Sequence, residues 1–89
     1  MSSELFNVVT FQSTHHAIRG EKYFKEANLA IKTIPTPREI TASCGLSIRF
    51  EIDKIDVVKE IIEKQELAIE GIYEIKKENF KKTARKIDY

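Results

Sequence analysis

Cysteine occurs once in the 89-residue chain, at Cys44. A single thiol excludes an intrachain disulfide framework and any multi-cysteine zinc site. Glycine is also scarce, with three scattered residues, so no glycine-rich loop is available to cradle a phosphate. No run approaches the roughly 18–20 apolar residues needed to cross a bilayer. The polar start Met1-Ser2-Ser3-Glu4 lacks the basic region and apolar core of a secretion signal. The expected setting is a reducing cytoplasm without membrane association, where Cys44 stays a free thiol. Charge of one sign is lacking too. Lys plus Arg number 15 against 14 Asp plus Glu, which excludes an overall nucleic-acid-binding signature and an acidic disordered chain.

What is present fits one small soluble domain. Its charge is uneven, because residues 76–89 hold six Lys/Arg against two Asp/Glu, while residues 1–75 hold nine against twelve. This divides the chain into a domain over 1–76 and a basic C-terminal extension over 77–89. The extension reads first as a solvated helix or frayed end. Its second reading is a docking segment for RNA or an acidic partner, helped by Phe80, Ile87 and Tyr89. Nucleic acid is the less favoured partner, since no recognised RNA-binding motif accompanies these residues.

Periodicity predicts the elements. Leu5-Phe6-Asn7-Val8-Val9-Thr10-Phe11 is β-branched and aromatic, as in a largely buried strand. Ser13 or Thr14 can cap a helix over about 14–28 that places Ala17, Gly20, Phe24 and Ala27 on one face, with Gly20 there for close packing on a sheet. Asn28 closes it, and residues 30–34 form a second strand ended by Pro35 and Pro37. Thr36, Pro37 and Glu39 have the spacing of a capping box for a short helical turn over 37–44, ending at Gly45. Leu46-Ser47-Ile48-Arg49-Phe50-Glu51-Ile52 alternates strictly and is a strand. Asp53 can cap a helix over about 54–68, Glu70-Gly71 breaks it, and residues 72–75 form a short fourth strand.

The order strand, helix, strand, strand, helix, strand predicts an α+β, ferredoxin-like βαββαβ domain: a four-stranded antiparallel sheet with two helices on one face and a basic C-terminal tail. Its expected spatial order is 4-1-3-2. Strands two and four are then uncovered edges through which a homodimer could pair. The chain leaves strand one at Ser13 and enters strand three at Gly45, on the same sheet edge. Cys44 is therefore expected near the N-terminus of the first helix.

That position has chemical consequences. Free N–H groups and the positive end of the helix dipole favour an anion there. With His15 or His16 and Arg38 nearby, a thiol pKa falls from ~8.5 toward ~7 or below. A thiolate is the nucleophile needed to accept sulfur, and a carrier of that kind needs one cysteine rather than two. The competing reading buries Cys44 as a small hydrophobe. Its neighbours Ser43 and Gly45 are loop-like, which favours the surface. Adjacent histidines on a helix point about 100° apart, so His15 and His16 seldom share a zinc ion with Cys44, and no metal or cofactor is expected. Ser13, His16 and Glu21 lack the strained elbow of a hydrolase nucleophile. Arg38 either pairs with a surface carboxylate or clamps an anionic ligand with its planar fork.

Phe11-x-Ser13-Thr14-x-x-Ala17-x-x-x-Glu21, followed by Ile34-Pro35-x-Pro37-Arg38-x-Ile40-x-x-Ser43-Cys44-Gly45, resembles the small bacterial selenium/sulfur carrier protein-like family. The resemblance covers about residues 6–52. It implies a cytoplasmic domain with a sulfur or selenium carrier role and Cys44 as the carrier. The Cys-Pro-x-Pro motif of other sulfur carriers is absent, because Gly45 follows Cys44 and both prolines precede it. The leading expectation is a persulfide carrier in which Cys44 is served by Ser13, Thr14, His15, Arg38 and Gly45. Such a protein is an accessory rather than a turnover enzyme, and needs a donor protein and an acceptor protein. The alternative is a non-catalytic protein- or RNA-interaction module with a structural cysteine.

Overall fold

The computed structural model describes residues 3–40 and 45–87. Chain order is β1 (Ser3–Phe11), α1 (Thr14–Glu26), β2 (Lys32–Pro35), β3 (Leu46–Phe50), a 3-10 turn (Ile52–Lys54), α2 (Ile55–Lys64), β4 (Ile69–Glu78) and β5 (Lys81–Ile87). The five strands form one antiparallel sheet in the order β2-β3-β1-β4-β5.

This corrects the expected fold. The four-stranded ferredoxin-like βαββαβ arrangement is replaced by an α+β fold whose chain order is βαββαββ, and the basic C-terminal segment is a strand rather than a tail. Gly71, expected to break the chain before a short strand, lies buried inside β4. β4 is therefore an interior strand with partners on both sides, and the sheet edges are β2 and β5. A tight turn at Asn79 and Phe80 makes the extra strand, with Glu78 opposite Lys81. Asn79 has φ 56, in the left-handed region that asparagine tolerates in two-residue hairpin loops.

The helices end by one device. After α1, the Leu29 N–H donates to the Phe24 carbonyl and the Asn28 N–H to that of Lys25, with Asn28 at φ 61. After α2, Leu67 donates to Ile62 and Glu66 to Glu63, with Glu66 at φ 51. These are Schellman closures, and the residues that close them, Leu29 after α1 and Leu67 after α2, join the same apolar cluster as Phe24 and Ile62. α2 is thus shorter than expected, and the Asp53 side chain does not cap it; a 3-10 turn leads in instead.

Strand alternation sends residues to two faces. On one, α1 and α2 cover Val9, Phe11, Ile48, Phe50 and Ile72 with Ala17, Phe24, Val58 and Ile62. Gly20 is there because a Cβ would lie 2.7 Å from the buried Phe11 ring, so only glycine lets α1 approach this closely. The other face carries Phe6, Val8 and Ile75, and instead of standing open it is covered by Ile40, from the connection between β2 and β3. Two cores on one sheet explain why β1 is apolar at both parities.

Candidate functional site

The β2–β3 connection is the part of the fold that the alternation of strands does not dictate. After β2, buried Pro37 and a turn closed by the Ile40 N–H on the Pro37 carbonyl, 3.0 Å, aim Ile40 back onto the sheet. Ile40 is 5% exposed and packs with Phe6, Val8 and Ile75. The neck of the loop is closed where the Thr36 N–H donates to the Gly45 carbonyl at 2.9 Å. The Thr36 hydroxyl shares a 2.7 Å hydrogen bond with that of Ser47, which is fully buried in β3. Thr36 and Gly45, at the two ends of the loop, therefore meet at one point.

Several expected site residues meet on or beside this loop. Arg38 is exposed and lines an open cleft of about 530 Å³ with Phe6, Ile34, Pro37, Glu39 and Lys82. Glu39 pairs with Lys82 of β5 at 3.9 Å, tying the loop to the C-terminal hairpin. Gly45 is exposed, and nothing lies within 4 Å of where its Cβ would be. Cys44 itself, and with it the expected turn beyond Ile40, lies outside the described residues.

The remaining expected residues stand at the start of α1. The Ser13 hydroxyl accepts from the His16 N–H at 3.4 Å as the helix N-cap, Thr14 opens the helix, and His15 is exposed. β1 ends at Phe11 and β3 begins at Leu46, antiparallel neighbours, so Ser13 and Gly45 leave the same end of the sheet. Arg38 instead sits on the face opposite α1, beside Lys82. The geometry thus gathers Arg38 and Gly45 on one loop and Ser13, Thr14 and His15 at one helix end.

His16 has a structural use. Its Nδ1 accepts a hydrogen bond from the Ala68 N–H at 3.2 Å, which requires that atom to be unprotonated and fixes the α2–β4 connection against α1. Among the described residues no group of three His, Cys, Asp or Glu side chains is placed to hold a metal ion. No described helix is long and apolar enough to cross a membrane.

Three residues of this region escape a reading by periodicity. Ile40 and Glu39 belong to no regular element, and Lys82 belongs to a charge run. The signal that could have found them is in β1, where Phe6 and Val8 demand a cover that two helices on the other face cannot provide.

An α+β domain that carries a tethered loop with the chain's single thiol is the class these features define. Residues 6–74 match the family described as "Putative Se/S carrier protein-like", and the chain belongs to that family. Neither a curated protein nor a solved structure matches it. Carrier families work by exchange with donor or acceptor proteins.

Proposed function

We propose that the protein carries sulfur or selenium on Cys44, presented at the closing end of the loop over residues 36–45. The observation that carries this reading is the tether. The family match runs through the loop, and the only thiol directly precedes the residue whose carbonyl closes the loop's neck. A carrier thiol must reach partner active sites while its backbone keeps a defined position, and a loop pinned by Ile40 and Gly45 suits both needs.

The transfer needs no outside oxidant. The Cys44 thiolate attacks the outer sulfur of a donor persulfide. A new sulfur–sulfur bond forms on Cys44, the donor's bond breaks, and the donor leaves as a thiolate while the outer sulfur keeps its proton. A thiolate of the acceptor then attacks that outer atom, and Cys44 departs as thiolate. Selenium in the outer position follows the same path. The first turn of α1, opened by the Ser13 cap and carrying Thr14 and His15, leaves the same sheet end as Gly45 and favours an anionic sulfur brought there, while Arg38, on the opposite face, is placed to meet anionic groups of a partner. Gly45 leaves the approach clear of a side chain. The reading goes with a reducing, cytoplasmic setting and with an accessory role between a donor and an acceptor protein.

Incubation with a cysteine desulfurase and cysteine, followed by intact-mass and peptide mass spectrometry, tests it. The expected result is the gain of one sulfur atom on the Cys44 peptide, removed by a reductant and absent in Cys44→Ser. A chain that never gains sulfur contradicts the reading.

A further inference from the structure

We propose that the β4–β5 hairpin is a binding site for single-stranded nucleic acid, independent of the thiol. Strand pairing places Lys77 directly opposite Lys82, a like-charged pair that is unfavourable in an isolated sheet. Lys77, Lys82 and Lys86 share one face of the hairpin, while Lys76, Lys81 and Arg85 share the other. Lys76, Lys82 and Arg85 are paired with Glu78, Glu39 and Glu74. For Lys77, Lys81 and Lys86 no carboxylate partner is found among the described residues. At the tip, Phe80 is fully exposed, the one large aromatic side chain in that state among the described residues.

The distribution of charge selects the partner. A rigid acidic protein surface can face only one side of the sheet where it ends at β5. A flexible polyanion can wrap the β5 edge and use the cations of both sides, with a base stacked on the Phe80 ring, since every base offers a π-face. Sequence-tolerant binding with strong salt dependence follows from such contacts.

Fluorescence anisotropy of the full chain with a labelled oligouridine of about ten nucleotides tests the proposal. Three unpaired lysines predict a slope of log affinity against log salt of about −2. Lys77→Ser and Lys86→Ser should each make the slope shallower by about 0.7. Phe80→Ala should weaken binding about tenfold with the slope unchanged, since a lost stack removes no ionic contact. Circular dichroism confirms that each variant is folded. Cys44→Ser should bind like the parent chain, so this site and the carrier reading fail separately. Absence of salt-dependent binding, or a Phe80→Ala variant that binds as well as the parent, overturns the proposal. Displacement of the oligonucleotide by polyglutamate at equal charge concentration also overturns it, and assigns the hairpin to acidic proteins.

Discussion

The two faces of the sheet are covered in different ways. Two helices seal one face around Phe11, Phe24 and Phe50, whose side chains are almost wholly withdrawn from water. The other face is closed over its middle by Ile40 from a loop, and beside it Arg49 spreads over the Phe6 ring at 3.9 Å while pairing with Glu4 at 3.3 Å. The helix face is where the fold is held. Among the described residues the loop is held to its face by the Ile40 anchor, two hydrogen bonds at the neck and the partly exposed Glu39–Lys82 pair, a set that local opening can release without global unfolding.

Substitutions on the two faces should therefore differ in size and kind. The largest effect is expected from Phe24→Ala on the helix face, a loss of about 3–5 kcal/mol measured by urea denaturation. Ile40→Ala should cost about 2 kcal/mol, at the low end for a buried aliphatic residue because a loop can relax around the gap. It should also speed hydrogen exchange at the Thr36 amide, which Phe24→Ala should not do while the chain stays folded. Equal exchange in the two variants would break the distinction between the faces.

The two buried glycines sharpen the same contrast. Gly20→Ala drives a methyl group to within 2.7 Å of the Phe11 ring, which has nowhere to go, and should cost about 1–3 kcal/mol despite the gain in helix propensity. Gly71→Ala on the loop face meets the Lys86 Cε at 3.1 Å and the edge of the Tyr73 ring at 3.2 Å. The lysine can swing away, and relief of glycine's conformational entropy offsets the rest, so the change should stay within about 0.5 kcal/mol. Thermal melting of both variants checks the pair. Glu39→Gln, which breaks the half-exposed pair with Lys82, should change stability least, by about 0.5 kcal/mol or less.

The sequence was most legible where one periodicity ruled. β3 alternates, and α1 carries Ala17, Gly20 and Phe24 on its buried side, as their spacing predicts, while Ala27, expected with them, is exposed at the C-cap. Legibility failed where a residue's usual meaning was overridden by its neighbours. Gly71 reads as a breaker, but paired with Thr10 of β1 and overlaid by the Lys86 and Tyr73 side chains it is tolerated as an interior strand residue. The run from Lys76 to Lys86 reads as a solvated tail because its cations hide the strand. An exposed edge strand rich in lysine is also how sheets discourage unwanted pairing, as are the shortness of β2 and its Pro35. Of the site, the common sheet end of Ser13 and Gly45 followed from topology, whereas the docking of Ile40 did not, because loop packing leaves no periodic trace.

The carrier proposal rests on a loop, anchored on the second face by Ile40, to present a reactive Cys44. Its most direct test is the rate of Cys44 alkylation by iodoacetamide as a function of pH, in the parent chain and in Ile40→Ala. The expected midpoint lies below the ~8.5 of an ordinary thiol in the parent and moves toward that value when the anchor is removed. Coincident profiles at the ordinary thiol value in both chains would contradict it.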